Sequence, residues 1–332
     1  MNPEHGVQHD KAIWLLSDGR SGSTWLAQLL NFNRRFHVEH EPVHCDFNPR
    51  LLDQPLMPFP NDASVESHYL PLFEDMLAGR YVSHRFGEEQ NCQGGGLLIR
   101  DINAMLIAPR LLAALPQLRP AILVRHPAEV AVSKVAHSHW NWFGEIERYL
   151  EDKALRREMT GLGHLILAAN TPYRRHVIHW AASHRYFFSE VMPRSLPIIR
   201  YPGQREDICI GLDRVLGQFG QQAATGSEAF DIAWRTRSAT GLACNEKSIF
   251  HRVFARERPS KSDLLFTEKV IDAFGLRWLV PWTAYTDAPA AEDDFAPALA
   301  GPAFAGIAAS PRRQRMPLRE MVQRREPVAL GC

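Results

Sequence analysis

The stretch Lys11–Leu30, KAIWLLSDGRSGSTWLAQLL, combines three kinds of local sequence. The apolar run Ala12–Leu16 has the length of a buried strand, and the polar segment Ser17–Thr24 follows it. Apolar residues then recur at helical spacing from Trp25 onward, which predicts a helix that begins near Gly22. A strand, a loop of small residues and a helix aim free backbone N–H groups and the positive end of the helix at one point. The stretch therefore predicts an anion-binding loop.

The loop also carries the side chains that phosphate binding uses. Gly19 and Gly22 let the backbone approach a phosphate closely, and Arg20 adds a fixed positive charge with a forked set of donors. Hydroxyl donors come from Ser21, Ser23 and Thr24. The alternative is a tight strand-to-helix turn with a serine cap, and spacing alone leaves both interpretations open.

Composition limits the class of protein. A chain of 332 residues with 45% hydrophobic content buries a sizeable core, as one large domain or two. The formal net charge of +1 indicates neither a nucleic-acid partner nor an acidic membrane surface. No apolar run approaches the roughly 18 residues of a membrane span. The opening Met1–Asp10 lacks a signal-peptide core, and the five cysteines are never spaced C-x-x-C. We expect a cytoplasmic protein.

Further strands and helices alternate along the chain, which predicts a parallel sheet with helices on both faces. The fold class we expect is a P-loop-like, three-layer α/β/α architecture with helical insertions that cover the site. We expect one domain over residues 1–285, with 46–96 as an insertion over the acceptor pocket, and a poorly ordered tail over 286–332. Further strands are predicted at 36–40, 97–101, 120–124 and 196–201, and helices at 65–78, 104–115, 128–138, 145–167, 173–191, 212–219 and 264–274.

A second candidate anion site lies between Arg125 and Ser133. Arg125 ends a predicted strand, so it shares the carboxyl edge of the sheet with the first loop. Ser133 lies two helical turns into the next helix and is able to flank the same bound group. Two such sites suit an adenine nucleotide with phosphate at both its 5′ and 3′ positions. The alternative is that Arg125 caps a strand and Ser133 packs.

Two patterns resemble metal sites, and we interpret neither as one. The residues His40-Glu-Pro-Val-His44 fit the zinc-protease pattern H-E-x-x-H, but that pattern works on a helix and Pro42 interrupts one. A loop at the carboxyl end of a strand is the preferred interpretation of this segment. His176 and His179 are three residues apart on a predicted helix, where packing is commoner than metal binding. We expect no metal.

The two anion motifs resemble those of the sulfotransferases that use 3′-phosphoadenylyl sulfate (PAPS). Arg20–Leu26 resembles the 5′-phosphosulfate loop of that family, and Leu123–Lys134 resembles its 3′-phosphate motif. The helix that contains Trp180, followed by Ile199–Tyr201, is similar to a later unit of the family. The family usually has tyrosine-glutamate-aspartate there, whereas Pro202 follows Tyr201 in this chain. The resemblance is good over residues 11–220, patchy to residue 285 and absent beyond.

The resemblance implies roles for individual residues. Arg20 would neutralise charge as the sulfuryl group leaves, together with Ser21, Gly22, Ser23 and Thr24 of the same loop. Arg125 and Ser133 would hold the 3′-phosphate, and Tyr201 would belong to the same binding site. Trp25 would stack on adenine, unless it serves the core. Arg258 and Lys261 would stand in for a late arginine-lysine-glycine contact of the family.

The general base has three candidates. The related cytosolic enzymes use a histidine just after the third strand, and this chain has Arg100-Asp101-Ile102-Asn103 there. Carbohydrate-type members use an acid after the second strand, close to a glutamate-proline pair. Glu41 and His44 are therefore the preferred candidates, and Asp101 is the third.

The function that these inferences favour is transfer of a sulfuryl group from PAPS, without a metal, to a hydroxyl of a small-molecule or carbohydrate acceptor, or less favourably to an amine. One alternative is a P-loop kinase or other ATP-using enzyme, although the loop has no lysine after Gly22. Another is a nucleotide-binding module without chemistry. The segment 46–96 and four residues after the second motif, His137, His139, Trp140 and Trp142, are expected to shape the acceptor pocket. Nothing in the sequence indicates an oligomeric state.

Overall fold

A parallel β-sheet forms the centre of the fold. The structure is a computed structural model that describes residues 9–46, 48–81, 95–136, 146–192, 196–223, 225–235 and 259–280. Its strands are β1 (Ala12–Ser17), β2 (Phe36–His40), β3 (Gly96–Asp101), β4 (Leu118–Arg125) and β5 (Ile198–Tyr201). They form a five-stranded sheet in the order β2-β3-β1-β4-β5, and every pair is parallel. The predicted strands are confirmed.

Both faces of the sheet are buried. Alternate residues of a strand point to opposite faces, so Trp14 and Leu16 enter one hydrophobic core while Ile13 and Leu15 enter the other. Burial on both faces explains why the strands appear in the sequence as continuous apolar runs rather than as alternating ones.

Helices cover each face. In chain order they are α1 (Ser23–Leu30), α2 (Leu70–Leu77), α3 (Ala108–Ala114), α4 (Pro127–Val135), α5 (Arg148–Glu151), α6 (Lys153–Glu158), α7 (Gly163–Leu167), α8 (Pro172–Glu190), α9 (Arg205–Gly217), α10 (Glu228–Arg235) and α11 (Lys261–Ala273). Leu26 of α1, Leu212 of α9 and Phe230 of α10 belong to the core with Ile13, which we call the α1-side core. Residues of α2, α3, α4, α8 and α11 belong to the core with Trp14, the α8-side core. The predicted three-layer α/β/α architecture is confirmed.

Some helix boundaries differ from the predicted ones. Helix α9 begins at Arg205, seven residues before the predicted start. The apolar pattern did not reveal this start, because the first turn carries Glu206 and Asp207 and has no apolar period. Acidic residues stabilise the positive end of a helix even where no face is buried. The helix predicted at 65–78 opens with a π-helical turn, Val65–Tyr69, that leads into α2.

The predicted helix over 145–167 is three short helices. Asp152 ends α5 and caps α6, since its carboxylate accepts hydrogen bonds from the N–H groups of Ala154 and Leu155. Gly161, with φ 79°, separates α6 from α7. A capping aspartate inside a helical period was the signal for this break.

The carboxyl ends of the strands meet at one edge, with β1 between β3 and β4. The register pairs Leu16 with Asp101, His40 with Arg100, and Arg125 with Tyr201. The loops that follow β1, β2, β3 and β4 therefore leave the sheet side by side, where parallel α/β proteins place their ligands.

The chain divides into a compact unit, Met1–Thr286, and a second unit, Asp287–Cys332. The second unit lies outside the described residues, so the predicted tail stays a prediction, as does the role of 46–96 as a cover. No helix in the described part of the chain is long and apolar enough to cross a membrane.

Candidate active site

The loop between β1 and α1 has two residues with an unusual backbone conformation. Arg20 and Gly22 are left-handed, with φ 69° and 92°. A Cβ added at Gly22 would lie 3.2 Å from the Tyr201 ring, so a larger residue would fit tightly as well as strain the backbone. Gly22 is also the N-cap of α1 and makes no side-chain capping bond. Because the first N–H groups of a helix lack partners within the helix, the loop offers backbone donors to an anion.

Ser21 adds an independent sign of an anion site. Its side chain is fully buried, and its Oγ has no hydrogen-bond partner among the described residues. Leaving a buried hydroxyl without a partner costs free energy, and an oxygen of a bound phosphate or sulfuryl group is a suitable acceptor. The loop therefore fits an anion such as a phosphate or sulfuryl group.

The second motif touches this loop directly. Arg20 Nε donates a hydrogen bond to Ser133 Oγ over 3.1 Å. Arg125 Nη1 donates to the carbonyl oxygen of Arg20 over 2.8 Å. Residues more than a hundred positions apart in the chain thus form one cluster at the carboxyl edge of the sheet.

Arg125 is held in a fixed orientation. It is 5% exposed, and its Nε donates to Glu129 Oε2 over 2.7 Å, one helical turn along α4. The Tyr201 ring centre lies 5.6 Å from its guanidinium carbon. Tyr201 thus contacts both anion motifs, the loop through Gly22 and the second motif through Arg125.

The electrostatics of Arg20 favour an anion. Burial, and after it the positive charge of Arg125, lowers the pKa of the Arg20 guanidinium. Two cations held close together in a partly buried site repel each other, and a bound anion relieves that repulsion.

A buried polar network lies beneath the loop. Asp18 Oδ1 accepts hydrogen bonds from the Gly19 N–H over 2.7 Å and from Lys134 Nζ over 2.6 Å. His179 Nε2 of α8 lies 3.8 Å from the same oxygen, and the Tyr149 hydroxyl is hydrogen-bonded to His179 Nδ1. Burial lowers the pKa of His179 to about 3, so its ring is neutral at pH 7. The histidine predicted to pack rather than bind metal is therefore part of a network that supports the loop.

Charge controls the Asp18–Lys134 pair. Burial alone would raise the pKa of Asp18, but the Lys134 ammonium outweighs it and holds that pKa below its ordinary value. The side chain of Lys134 has 0% of its surface exposed and that of Asp18 has 3%. Removing only one partner of such a buried ion pair strongly destabilises the folded protein, because the other charge stays buried without it.

Arg100 joins the loop to the segment that carries the base candidates. Its Nη1 donates to Ser23 Oγ over 3.0 Å, and its Nη2 donates to Glu41 Oε1 over 2.5 Å. Its Nε donates to His40 Nδ1 over 3.1 Å. A guanidinium group only donates, so Ser23 accepts from Arg100 and its own proton stays available for another acceptor.

Glu41 is also held by its backbone. Its N–H donates to the Arg100 carbonyl over 2.7 Å, and its φ of 50° places it in the left-handed region. A non-glycine residue in this region stores strain, and such residues cluster at functional sites. The segment from Glu41 to His44 is a turn at the end of β2, which confirms the predicted loop and rules out the helix that H-E-x-x-H requires.

The other two base candidates are placed differently. Asp101 is 0% exposed and accepts hydrogen bonds from the backbone N–H groups of Val43 and Asn103 over 3.2 and 2.8 Å. Burial raises its pKa to about 7. Asp101 thus orders the turn that carries Glu41. His44 is partly exposed, and its Nδ1 accepts from the Asp46 N–H over 3.3 Å.

Trp25 and Lys261 are two further predicted nucleotide contacts. Trp25 is 2% exposed and packs against Tyr201 and Trp234 at ring-centre distances of 5.5 and 5.1 Å, which favours the alternative of a core tryptophan. Lys261 is the exposed first residue of α11. The predicted contact at Arg258 lies outside the described residues, as do His137, His139, Trp140 and Trp142.

Three residues of the cluster were missed in the sequence. Asp18 lies in the predicted loop, Arg100 in a predicted strand and Lys134 in a predicted helix, and each is buried. A charged residue close to a motif and surrounded by apolar sequence could have indicated each of them. Such charges need a partner, and the partner is remote in sequence.

Fold and site together define a parallel α/β protein with two adjoining candidate anion sites at the carboxyl edge of its sheet. No protein-family model and no curated protein matches the chain. Solved structures that match include a sulfotransferase from Alicyclobacillus acidocaldarius, to which the chain is 15% identical. The match covers 80% of this chain and 98% of that one, with a TM-score of 0.36.

Two further matches are the sulfotransferase domain from the curacin biosynthetic pathway and that of the Synechococcus PCC 7002 olefin synthase. The first is 20% identical over 81% of this chain and 98% of its own, with a TM-score of 0.40. The second is 17% identical over 83% and 98%, with a TM-score of 0.41. Matches this distant carry no functional conclusion, which has to come from the residues of the site.

Proposed function

We propose that the chain transfers a sulfuryl group from PAPS to a hydroxyl group of a small-molecule or carbohydrate acceptor. The observation that carries the proposal is the contact between the two anion motifs, through Arg20 and Ser133 at 3.1 Å and Arg125 and the Arg20 carbonyl at 2.8 Å. A nucleotide with a 5′-phosphosulfate and a 3′-phosphate needs two adjacent anion sites, whereas a nucleoside triphosphate needs one extended site.

The loop supplies the stabilisation that the reaction requires. Negative charge develops on the 5′-phosphate oxygen as its bond to sulfur breaks. Arg20, the hydroxyls of Ser21 and Ser23, and the N–H groups at the start of α1 are donors already in place for that charge. Preorganised donors in a partly buried site are usually the largest single contribution to such a rate enhancement.

We assign Glu41 as the general base. It accepts the proton of the attacking hydroxyl while the acceptor oxygen forms its bond to sulfur, and the 3′,5′-bisphosphate leaves with the electron pair of the broken sulfur–oxygen bond. The Arg100 contact, which also reaches Ser23 of the loop, supports this choice over His44. Asp101 is the weakest candidate because it is 0% exposed.

Binding of 3′-phosphoadenosine 5′-phosphate (PAP) tests the proposal. We expect PAP to raise the unfolding temperature of the chain more than AMP does at equal concentration, because only PAP fills both anion sites. ATP with Mg²⁺ is the control for the kinase alternative. Equal shifts with PAP and AMP, or a larger shift with ATP and Mg²⁺, would contradict the proposal. Labelled PAPS and a panel of hydroxylated compounds, with Glu41→Gln as the inactive control, then test transfer itself.

A further inference from the structure

The buried Asp18–Lys134 pair joins two parts of the candidate site that the sequence keeps far apart. Asp18 is the first residue after β1 and starts the loop between β1 and α1, which we call the 5′ loop, while Lys134 follows Ser133 on α4. Their side chains meet at 2.6 Å. The pair therefore fixes the position of the loop relative to α4, the helix that carries Ser133.

The loop and α4 are also connected by Arg20 and Ser133, and by Arg125 and the Arg20 carbonyl. These connections use groups that a bound nucleotide needs for its own phosphates. Once Arg20 and Ser133 turn to a phosphate, their mutual hydrogen bond is given up.

The Asp18–Lys134 connection has a different environment. Lys134 has no exposed side-chain surface and Asp18 has 3%, so a nucleotide at the surface of the site does not reach them. His179 and Tyr149 extend the contact into α8 and α5, which anchors it in the α8-side core. We therefore expect this connection to persist when a nucleotide binds.

We propose that Asp18 and Lys134 are positioning residues that set the spacing between the 5′- and 3′-phosphate sites and thereby give the chain its preference for a bisphosphate nucleotide. The inference rests on the proposed function. When two binding groups are held at the spacing of the ligand, the second phosphate binds without further ordering of the protein. Without the pair, each phosphate still finds its own donors, but the joint geometry is lost.

The double variant Asp18→Asn/Lys134→Met tests the spacing. It removes both charges and keeps similar shapes, so no buried charge loses its partner, which each single variant would cause. We expect PAP affinity to fall about tenfold while AMP affinity changes less than about twofold, since AMP uses the 5′ loop alone. Isothermal titration of the two nucleotides measures both affinities. A general loss of structure would lower the affinities for PAP and AMP together. A loss of affinity for PAP alone therefore indicates a positioning role rather than a folding defect.

Arg157→Met/Glu190→Gln is the matched control. It removes an ion pair between α6 and α8, joined at 2.8 Å, which does not touch the loop. We expect both nucleotide affinities to stay at the wild-type level. If the Asp18/Lys134 double variant does not fold, Asp18→Glu replaces it, because a longer carboxylate arm keeps the ion pair but shifts the loop. It should lower PAP affinity selectively as well.

The outcomes are distinct. Wild-type chain that binds PAP no better than AMP overturns the proposed function. Wild-type chain that prefers PAP, together with a folded Asp18/Lys134 variant that keeps the same PAP-to-AMP ratio, overturns the positioning role alone. A selective loss of PAP affinity in that variant, absent from the control, supports it.

Discussion

Replacing Arg100 by methionine should destabilise the ligand-free chain strongly. Arg100 is 5% exposed, Glu41 is 7% exposed, and their side chains meet at 2.5 Å. Methionine keeps most of the apolar stem but removes the cation, so the Glu41 carboxylate stays buried without its Arg100 partner. Removing one member of a buried ion pair costs about 3–5 kcal/mol. The loss of the donors to Ser23 and His40 adds to this.

A double-mutant cycle isolates the contribution of the pair. Glu41→Gln alone leaves the Arg100 charge, whereas Arg100→Met/Glu41→Gln removes both charges. Replacing both members of a buried pair is often close to neutral. The double variant should therefore lose less unfolding free energy than the two single variants lose together, by about 2 kcal/mol or more. Urea unfolding of the ligand-free chain, followed by circular dichroism, measures each free energy of unfolding.

Arg50→Met is the matched control for this cycle. Arg50 pairs with Asp75 at 2.6 Å, but its side chain is 49% exposed. Exposed pairs contribute about 0–1 kcal/mol, so this variant should lose little. Arg100→Met costing no more than Arg50→Met would refute the reasoning, as would effects of Arg100→Met and Glu41→Gln that simply add.

Two further predictions concern the same edge of the sheet. Gly22→Ala should lower the unfolding temperature and weaken PAP binding, because φ is 92° there and the new Cβ would lie 3.2 Å from the Tyr201 ring. Thermal unfolding with and without PAP measures both the stability and the binding. An unchanged unfolding transition would contradict the prediction. Burial raises the pKa of Asp101 from 3.8 to about 7 in the folded chain, so the folded state binds this proton more tightly than the unfolded state. Stability should therefore fall as pH rises from about 4 to about 7, and Asp101→Asn should flatten that slope in urea unfolding at several pH values; a wild-type slope in the variant would show that another group is responsible.

The strands and the loop were predictable because their signals are local. A strand buried on both faces needs a continuous apolar run, and Ala12–Leu16 has one. Gly22 marks the left-handed turn because other residues rarely adopt φ near 92°. The position of Arg125 followed from the rule that parallel strands end at one edge, and that of Ser133 from its spacing along the next helix.

The partners of the buried charges were not predictable in this way. Arg100 reaches Glu41 only because β2 pairs with β3 in the register that places His40 beside it. Lys134 reaches Asp18 across 116 positions of sequence. The burial of Trp25 depends on Tyr201 and on Trp234 of α10, both distant in the chain. Local patterns carry no information about such pairings, which long-range packing decides.

The two anion motifs belong to opposite layers of the protein. The loop continues into α1, whose Leu26 lies in the α1-side core, while Arg125 leads into α4, whose Val130 lies in the α8-side core. A bisphosphate nucleotide held by both motifs would thus bridge the two cores across the edge of the sheet. Opening either layer would then require release of the ligand. We expect PAP to slow hydrogen exchange in α1 and α4 alike, because the bound nucleotide would add a connection between the two layers to the side-chain contacts that already join them at this edge.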